Sequence, residues 1–89
     1  MKTIEITVKG LVQGIGYRYF VREKAKQAGI NGYVMNLTDG NVLIIAQGDD
    51  RDLNDFIEGI KTEHSYAEIN EIDIKEAKEE DFEDFQIKH

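Results

Sequence analysis

The sequence predicts an α+β domain in which two helices cover one face of an antiparallel sheet of four to five strands. Apolar residues first alternate and then recur at helical spacing, giving the order β-α-β-β-α-β with one more short strand at the end. Each helical segment carries a single apolar stripe, so each has one face to bury. With 89 residues, 40% of them hydrophobic, the chain suits one domain over residues 1–89.

The first strand and the first helix lie on either side of a glycine-rich segment. Residues 3–9 alternate apolar and polar side chains, which predicts a half-buried strand. A helix of about three turns begins at Tyr17, and Gly29 is suited to end it at the C′ position. Residues 30–37 predict the second strand, and Asp39-Gly40 predicts a hairpin turn after it.

The middle of the chain predicts a central strand followed by the second helix. Residues 41–47 are almost continuously apolar, as expected for a strand with neighbours on both sides, and Gly48 ends it. Residues 49–52 supply an Asp N-cap and acidic side chains for the first helical turn. The buried stripe of this helix is predicted to be Leu53, Phe56, Ile57 and Ile60.

The last third of the chain predicts two further strands. Residues 61–66 are a polar loop, and residues 67–75 return to a strand pattern. The apolar phase switches near Asn70-Glu71, which indicates a β-bulge or a late strand start. Residues 78–81 form a solvated turn, and residues 84–87 form a short final strand.

Composition excludes several classes of protein. There is no cysteine, so disulfides and thiolate metal sites are excluded, and no cluster resembles a zinc site. His64 is predicted to be an exposed loop residue. The N-terminus lacks the apolar run of a signal peptide, and no segment approaches the length of a membrane span. We therefore expect a cytoplasmic protein with no metal, no membrane partner and the simplest oligomeric state, a monomer.

The charge is distributed unevenly along the chain. The net charge of −7 disfavours broad contact with nucleic acid. Residues 1–26 nevertheless carry six basic and two acidic side chains, a net of +4, whereas residues 27–89 carry a net of −11. The positive end contains the glycine-rich segment, which favours a small anionic ligand there over a polyanion. For Arg22, Lys24 and Lys26 we favour the simpler interpretation that they lie on a solvated helix face.

The segment Gly10-Leu11-Val12-Gln13-Gly14-Ile15-Gly16-Tyr17-Arg18 is suited to hold a phosphoryl group. Its glycines allow tight turns and close approach, and the helix that follows directs unpaired N–H groups towards the loop. The guanidinium of Arg18 matches phosphate oxygens in shape and charge. The segment lacks the Gly-Lys-Ser/Thr ending of a P-loop and the glycine spacing of a dinucleotide fingerprint.

Two segments together carry a resemblance to a known family. Gly10 to Arg18 closely resembles the first signature of the acylphosphatase family, and Gly32-Tyr33-Val34-Met35-Asn36-Leu37-Thr38-Asp39-Gly40 resembles the second. The separation of the two blocks and the closing Asp84-Phe85-Gln86-Ile87 match as well, so the resemblance covers essentially the whole chain. Tyr17 and Tyr33 depart from the usual phenylalanine and tryptophan, and each adds a hydroxyl that needs a partner or water.

The resemblance implies a fold, a reaction and a set of site residues. The fold is a ferredoxin-like α/β sandwich. The reaction is hydrolysis of small acyl phosphates to a carboxylate and inorganic phosphate, without metal or cofactor. Arg18 and Asn36 are the implied catalytic residues, Asn36 orienting the attacking water. The phosphate or a similar anion would be held by the Arg18 side chain and by backbone N–H groups of the loop. These N–H groups belong to Gln13, Gly14, Ile15, Gly16, Tyr17 and Arg18.

Two alternatives remain open at this stage. A non-catalytic ferredoxin-like module could keep the anion pocket in order to sense a phosphorylated metabolite. An RNA-binding version of the fold would need exposed aromatic and basic residues on the sheet, and the acidic central region argues against it.

Overall fold

A computed structural model describes residues 1–62, 64 and 66–89. Five strands form one sheet in the order β4-β1-β3-β2-β5, and two helices pack on one face of it. The fold class predicted from the sequence is therefore confirmed. The elements in chain order are β1 (Lys2–Leu11), α1 (Tyr17–Ala28), β2 (Asn31–Asn36), β3 (Val42–Gly48), α2 (Asp50–Thr62), β4 (Glu68–Glu76) and β5 (Phe85–Lys88).

The core lies between the helices and the sheet. The apolar side chains of β1 alternate inwards, and β3 occupies the centre of the sheet, as its continuous apolar pattern predicted. Both helices bury one stripe against these strands. The predicted stripe of α2 differs at two positions, because Ile57 is only half-buried at the margin of the core and Gly59 is buried. The buried helical residues are Tyr17, Val21 and Ala25 in α1 and Leu53, Phe56, Gly59 and Ile60 in α2.

The sheet is mixed, because β5 runs parallel to β2 while every other pair is antiparallel. The prediction of an antiparallel sheet thus needs correction at this one edge. The reason is a connection over residues 77–84, which we call the strap. The strap leaves β4 at one edge, crosses the end of the sheet and enters β5 at the opposite edge. This path turns β5 in the same direction as β2.

Each strand that the strap crosses holds it by a hydrogen bond. The backbone N–H of Ala77 donates to the carbonyl of Thr3 in β1 (2.9 Å), and Gln47 Nε2 in β3 donates to the carbonyl of Glu80 (2.8 Å). Asn31 Nδ2 in β2 donates to the carbonyl of Phe82 (3.3 Å). The strap is therefore fixed to the sheet along its length.

The predicted bulge is confirmed in β4. Lys9 is opposite Glu71 and Gly10 is opposite Ile69, which leaves Asn70 as the extra residue. A Cβ atom on Gly10 would collide with the backbone carbonyl of Glu68. Gly10 therefore permits close strand pairing at the bulge, and it does not form part of the turn that follows β1.

The loop between α2 and β4 differs from the prediction in two respects. Helix α2 continues through Thr62, and the predicted polar loop over 61–66 includes Glu63 and Ser65, which lie outside the described residues. The prediction that His64 is exposed is wrong. Its ring is half-buried and packs edge-on against Phe20, with 4.9 Å between ring centroids, because an imidazole can cover apolar surface there.

Candidate active site

Three strands terminate at the same end of the sheet, which is the end opposite the one that the strap crosses. The registers place the C-terminal ends of β1, β2 and β5 together, since Val8 and Asn36 both pair with Val42, and Met35 pairs with Lys88. Helix α1 begins beside this end of the sheet, after the loop over residues 12–16. The two segments singled out in the sequence therefore meet in space.

The loop reaches α1 through two left-handed glycines. Gly14 and Gly16 both have φ of 77°, a conformation that costs other residues roughly 1–2 kcal/mol. A Cβ at either position would have no heavy atom within 4 Å. These glycines are needed for backbone shape, and the space above them stays open to a ligand.

The N-terminus of α1 has no side-chain cap, in contrast to that of α2. Gly16 occupies the N-cap of α1, and no acidic side chain lies in the first turn. In α2, Asp49 Oδ1 accepts the N–H of Asp52 at 3.0 Å, as the sequence predicted. The first N–H to bond within α1 is that of Phe20, which donates to the carbonyl of Gly16. The earlier N–H groups and the positive end of the helix dipole are therefore suited to interact with an anion.

Arg18 stands in the first turn of α1, and its guanidinium contacts the end of the chain. Its Nη1 donates to the carbonyl of Lys88 and lies 3.2 Å from His89 Nδ1. A guanidinium has five N–H donors, and the contacts within the described residues involve only Nη1. Arg18 is therefore oriented by β5 and keeps donors for a ligand.

Asn36 is the last residue of β2, and its side chain points to the helical face of the sheet. Its Oδ1 atom is buried, and no group in residues 1–62, 64 or 66–89 donates a hydrogen bond to it. Unsatisfied buried amide oxygens are rare, since leaving one unpaired costs about 1–3 kcal/mol. The Asn36 Oδ1 atom, at this end of the sheet, is therefore suited to accept a hydrogen bond from a water or a ligand.

A cavity of about 160 Å³ brings the two predicted catalytic residues together. Four of the six predicted loop residues line it, and two do not, because Ile15 packs against the core and the Gln13 side chain turns to the β2–β3 turn. Sequence reasoning missed two further lining residues, Val12 and Tyr19. The full lining is Val12, Gly14, Gly16, Tyr17, Arg18, Tyr19 and Asn36.

The hydroxyl that Tyr17 adds has a partner inside the protein. It donates to the carbonyl of Ile60 near the C-terminal end of α2, at 3.0 Å. Burial raises the pKa of the Tyr17 phenol well above its usual range, because the phenolate would be desolvated. The residue at the start of α1 thus also fixes the end of α2.

The Gln13 side chain connects the loop to the β2–β3 turn. Its Nε2 donates to the carbonyls of Leu37 and Asn41, both at 2.8 Å. The turn itself is closed by the N–H of Leu37, which donates to Asn41 O, and by Asp39 Oδ1, which accepts the N–H of Asn41. No signal in the local sequence points to this connection, because Leu37 and Asn41 lie 24 and 28 residues after Gln13.

The described residues offer neither a grouped set of metal ligands nor a membrane-spanning helix. Among the described residues, no three or more His, Asp or Glu side chains are grouped so as to hold a metal ion. No helix formed by these residues combines the length and the apolar character that crossing a bilayer requires.

Comparison with known proteins gives a consistent result. The family model for acylphosphatase matches residues 4–87. The chain is 43% identical to an acylphosphatase of Thermotoga maritima over 89 residues, which is 100% of this chain and 99% of the relative. It is 41% identical to an acylphosphatase of Archaeoglobus fulgidus, covering 98% of each. The crystal structure of acylphosphatase from Bacillus subtilis superimposes with a TM-score of 0.95 at 34% identity, covering 100% of both chains.

The fold and the site define a ferredoxin-like α/β sandwich with a glycine-rich loop and a cavity at one end of its sheet. The full-length matches identify the family. The chain belongs to the acylphosphatase family and is an enzyme of that family.

Proposed function

We propose that this protein hydrolyses the carboxyl–phosphate bond of small acyl phosphates, releasing a carboxylate and inorganic phosphate. The observation that carries the proposal is the unpaired, buried Oδ1 of Asn36 in the same cavity as the glycine loop and Arg18. One side of the cavity offers donors for phosphoryl oxygens, and the other offers an acceptor for a water.

The loop and Arg18 would bind the phosphoryl group. In the transition state, charge is spread over the equatorial oxygens of this group, so positioned N–H donors stabilise it directly. The uncapped first turn of α1 and the left-handed Gly14 and Gly16 leave backbone donors and open space where these oxygens would sit. Arg18 adds a permanent positive charge and a planar set of donors.

Asn36 would orient the attacking water. Its Oδ1 can accept a hydrogen bond from a water placed on the far side of the phosphorus from the leaving group. The leaving carboxylate has a low pKa, so the reaction needs no strong general acid. As the water oxygen bonds to phosphorus and the bond to the carboxylate breaks, the phosphate of the substrate can accept the one proton that the water loses, so the cavity needs no histidine or cysteine.

The first experiment measures hydrolysis of benzoyl phosphate with and without EDTA, for the wild type and for Arg18→Ala. Turnover that EDTA does not change and that the variant loses would support metal-free catalysis at this site. A folded wild type without turnover would refute the proposal. It would favour the phosphate-sensing module, which binding of inorganic phosphate by calorimetry would then test.

A second experiment assigns separate roles to the two side chains. Asn36→Ala is expected to bind inorganic phosphate with nearly unchanged affinity but to lose turnover, since the cradle stays intact. Arg18→Ala is expected to lose both. If Asn36→Ala loses phosphate affinity as strongly as turnover, Asn36 belongs to the phosphate cradle and the water-positioning role is wrong.

A further inference from the structure

We propose that the side chain of Gln13 is a positioning residue, which holds the glycine loop in register with Asn36. The inference rests on the proposed function and adds to it a part for a side chain that lines neither the cavity nor the phosphate cradle. Gln13 is half-buried, and its Nε2 donates to Leu37 O and to Asn41 O, each at 2.8 Å.

Both acceptors belong to the turn that follows Asn36 directly. Leu37 is the next residue in the chain, and Asn41 precedes β3 on the other side of the turn. The same two residues close the turn, since the N–H of Leu37 donates to the carbonyl of Asn41 at 2.8 Å. One primary amide therefore uses both of its protons on the two ends of a hydrogen-bonded turn, which fixes the distance and the orientation of the loop relative to that turn.

This connection matters because the two halves of the cavity lie far apart in sequence. The loop and Asn36 are joined along the chain only through α1 and most of β2. A displacement of about 1 Å between catalytic groups can reduce a rate by roughly 100-fold. The Gln13 amide sits at the start of the loop and sets that spacing without touching the substrate.

The residue type follows from the acceptors. Two carbonyl oxygens 2.8 Å from one nitrogen require a group with two donors and no negative charge. A carboxylate would repel both, and an apolar side chain of equal volume would leave both without this donor. A glutamine meets the requirement at the length observed.

The protein contains a matched control at the other end of the sheet. Gln47 Nε2 also makes two hydrogen bonds, to Thr3 Oγ1 at 2.9 Å and to the carbonyl of Glu80 at 2.8 Å, and thereby holds the strap. Gln47→Met removes the same chemical groups as Gln13→Met, but far from the cavity. Because the chemical change is the same in both variants, a difference in their activity must come from where each glutamine lies relative to the cavity.

The experiment compares the two variants in benzoyl phosphate hydrolysis, inorganic phosphate inhibition and thermal unfolding. We expect Gln13→Met to lower kcat about 10- to 100-fold, by the sensitivity of catalysis to misplacement. Its inhibition constant for phosphate should change less than about threefold, since it leaves the donors of the cradle in place. Gln47→Met should lower the unfolding temperature while keeping wild-type kcat. Equal kcat values for the two variants would overturn the inference, as would a parallel loss of kcat and phosphate affinity in Gln13→Met.

A double variant tests whether Gln13 acts through Asn36. If it does, Gln13→Met should reduce the residual kcat that remains in Asn36→Ala by a much smaller factor than it reduces the kcat of the wild type. A reduction of kcat by the same factor in both backgrounds would contradict the inference.

If Gln13→Met fails to fold, Gln13→Asn and Gln47→Asn replace the pair. Each of these variants keeps a side-chain amide that is one methylene too short to reach both acceptors. A wild type without turnover would refute the proposed function itself, which is a separate outcome.

Discussion

The hydroxyl of Tyr17 should contribute measurably to stability, and Tyr17→Phe isolates it. The substitution deletes one oxygen and leaves the ring in place. Tyr17 is 1% exposed and its acceptor residue Ile60 is 0% exposed, so water cannot replace the lost donor. The helical N–H that would serve Ile60 O belongs to residue 64, beyond the end of α2.

The expected loss follows from that burial. Leaving a buried carbonyl without its donor costs about 1–3 kcal/mol. In a domain of this size each kcal/mol lowers the unfolding temperature by roughly 4–8 °C, so a loss of about 1.5 kcal/mol corresponds to roughly 6–12 °C. Urea unfolding followed by circular dichroism gives the free energy, and a thermal scan gives the temperature.

The alkaline range provides a second measurement. Burial raises the pKa of Tyr17 in the folded state, so its stabilising effect is present below the unfolded value of about 10 and declines as pH rises above it. The stability difference between the wild type and Tyr17→Phe should therefore be constant below about pH 9 and narrow above pH 10.

Tyr33→Phe is the matched control for the same chemical change. The Tyr33 hydroxyl makes no hydrogen bond within the part of the chain that the structure describes, so its loss should change stability by less than about 0.5 kcal/mol. The reasoning fails if Tyr17→Phe is as stable as the wild type. It also fails if Tyr33→Phe is destabilised equally.

Three further predictions concern the loop, a helix cap and an ion pair. Gly10→Ala should destabilise the fold more than Gly14→Ala in urea unfolding, because a Cβ collides with backbone at Gly10 and meets no heavy atom within 4 Å at Gly14. Gly14→Ala should instead weaken phosphate binding in calorimetry. Asp49→Ala should cost about 1 kcal/mol in urea unfolding through loss of the N-cap. A hydrogen bond from Lys9 holds the pKa of Asp73 below its usual value, so the pair stabilises the fold above about pH 4. The small difference in unfolding temperature between the wild type and Asp73→Asn should therefore vanish as pH falls through the lowered pKa.

Each of these has a control in the same chain. Equal urea midpoints for Gly10→Ala and Gly14→Ala would contradict the steric argument at the bulge. Asp50→Ala removes a first-turn carboxylate that forms an exposed ion pair with Lys2 and no cap, and it should cost less than Asp49→Ala. Asp81→Asn removes a carboxylate with no ion pair among the described residues, and its unfolding temperature should not show the acid-range convergence expected for Asp73→Asn.

The features that could be predicted from the sequence are those set by short-range periodicity. Alternation in β1 and helical spacing in α1 and α2 follow from which side chains must be buried, and the structure agrees with them. The bulge was also visible, because an extra residue such as Asn70 reverses the apolar phase.

The features that could not be predicted depend on contacts between distant parts of the chain. The parallel direction of β5 is decided by where the strap crosses the sheet, and no local pattern records that path. The sequence predicts a role only for the backbone N–H of Gln13. The hydrogen bonds of its side-chain amide are not predictable, because nothing near Gln13 in sequence indicates acceptors at Leu37 and Asn41. The half-buried ring of His64 is a similar case, since its partner Phe20 is on another element.

The position of β5 has a consequence for the order in which the protein folds. Gly32 pairs with Phe85, and Arg18 bonds the carbonyl of Lys88 across 70 residues, so these contacts close some of the longest loops in the chain. Closing long loops costs entropy before contacts compensate for it, which places such pairings late in folding. We therefore expect the guanidinium of Arg18 to reach its final position only when the sheet is completed. In a refolding time course, recovery of enzyme activity should then coincide with the last structural phase and should not precede it.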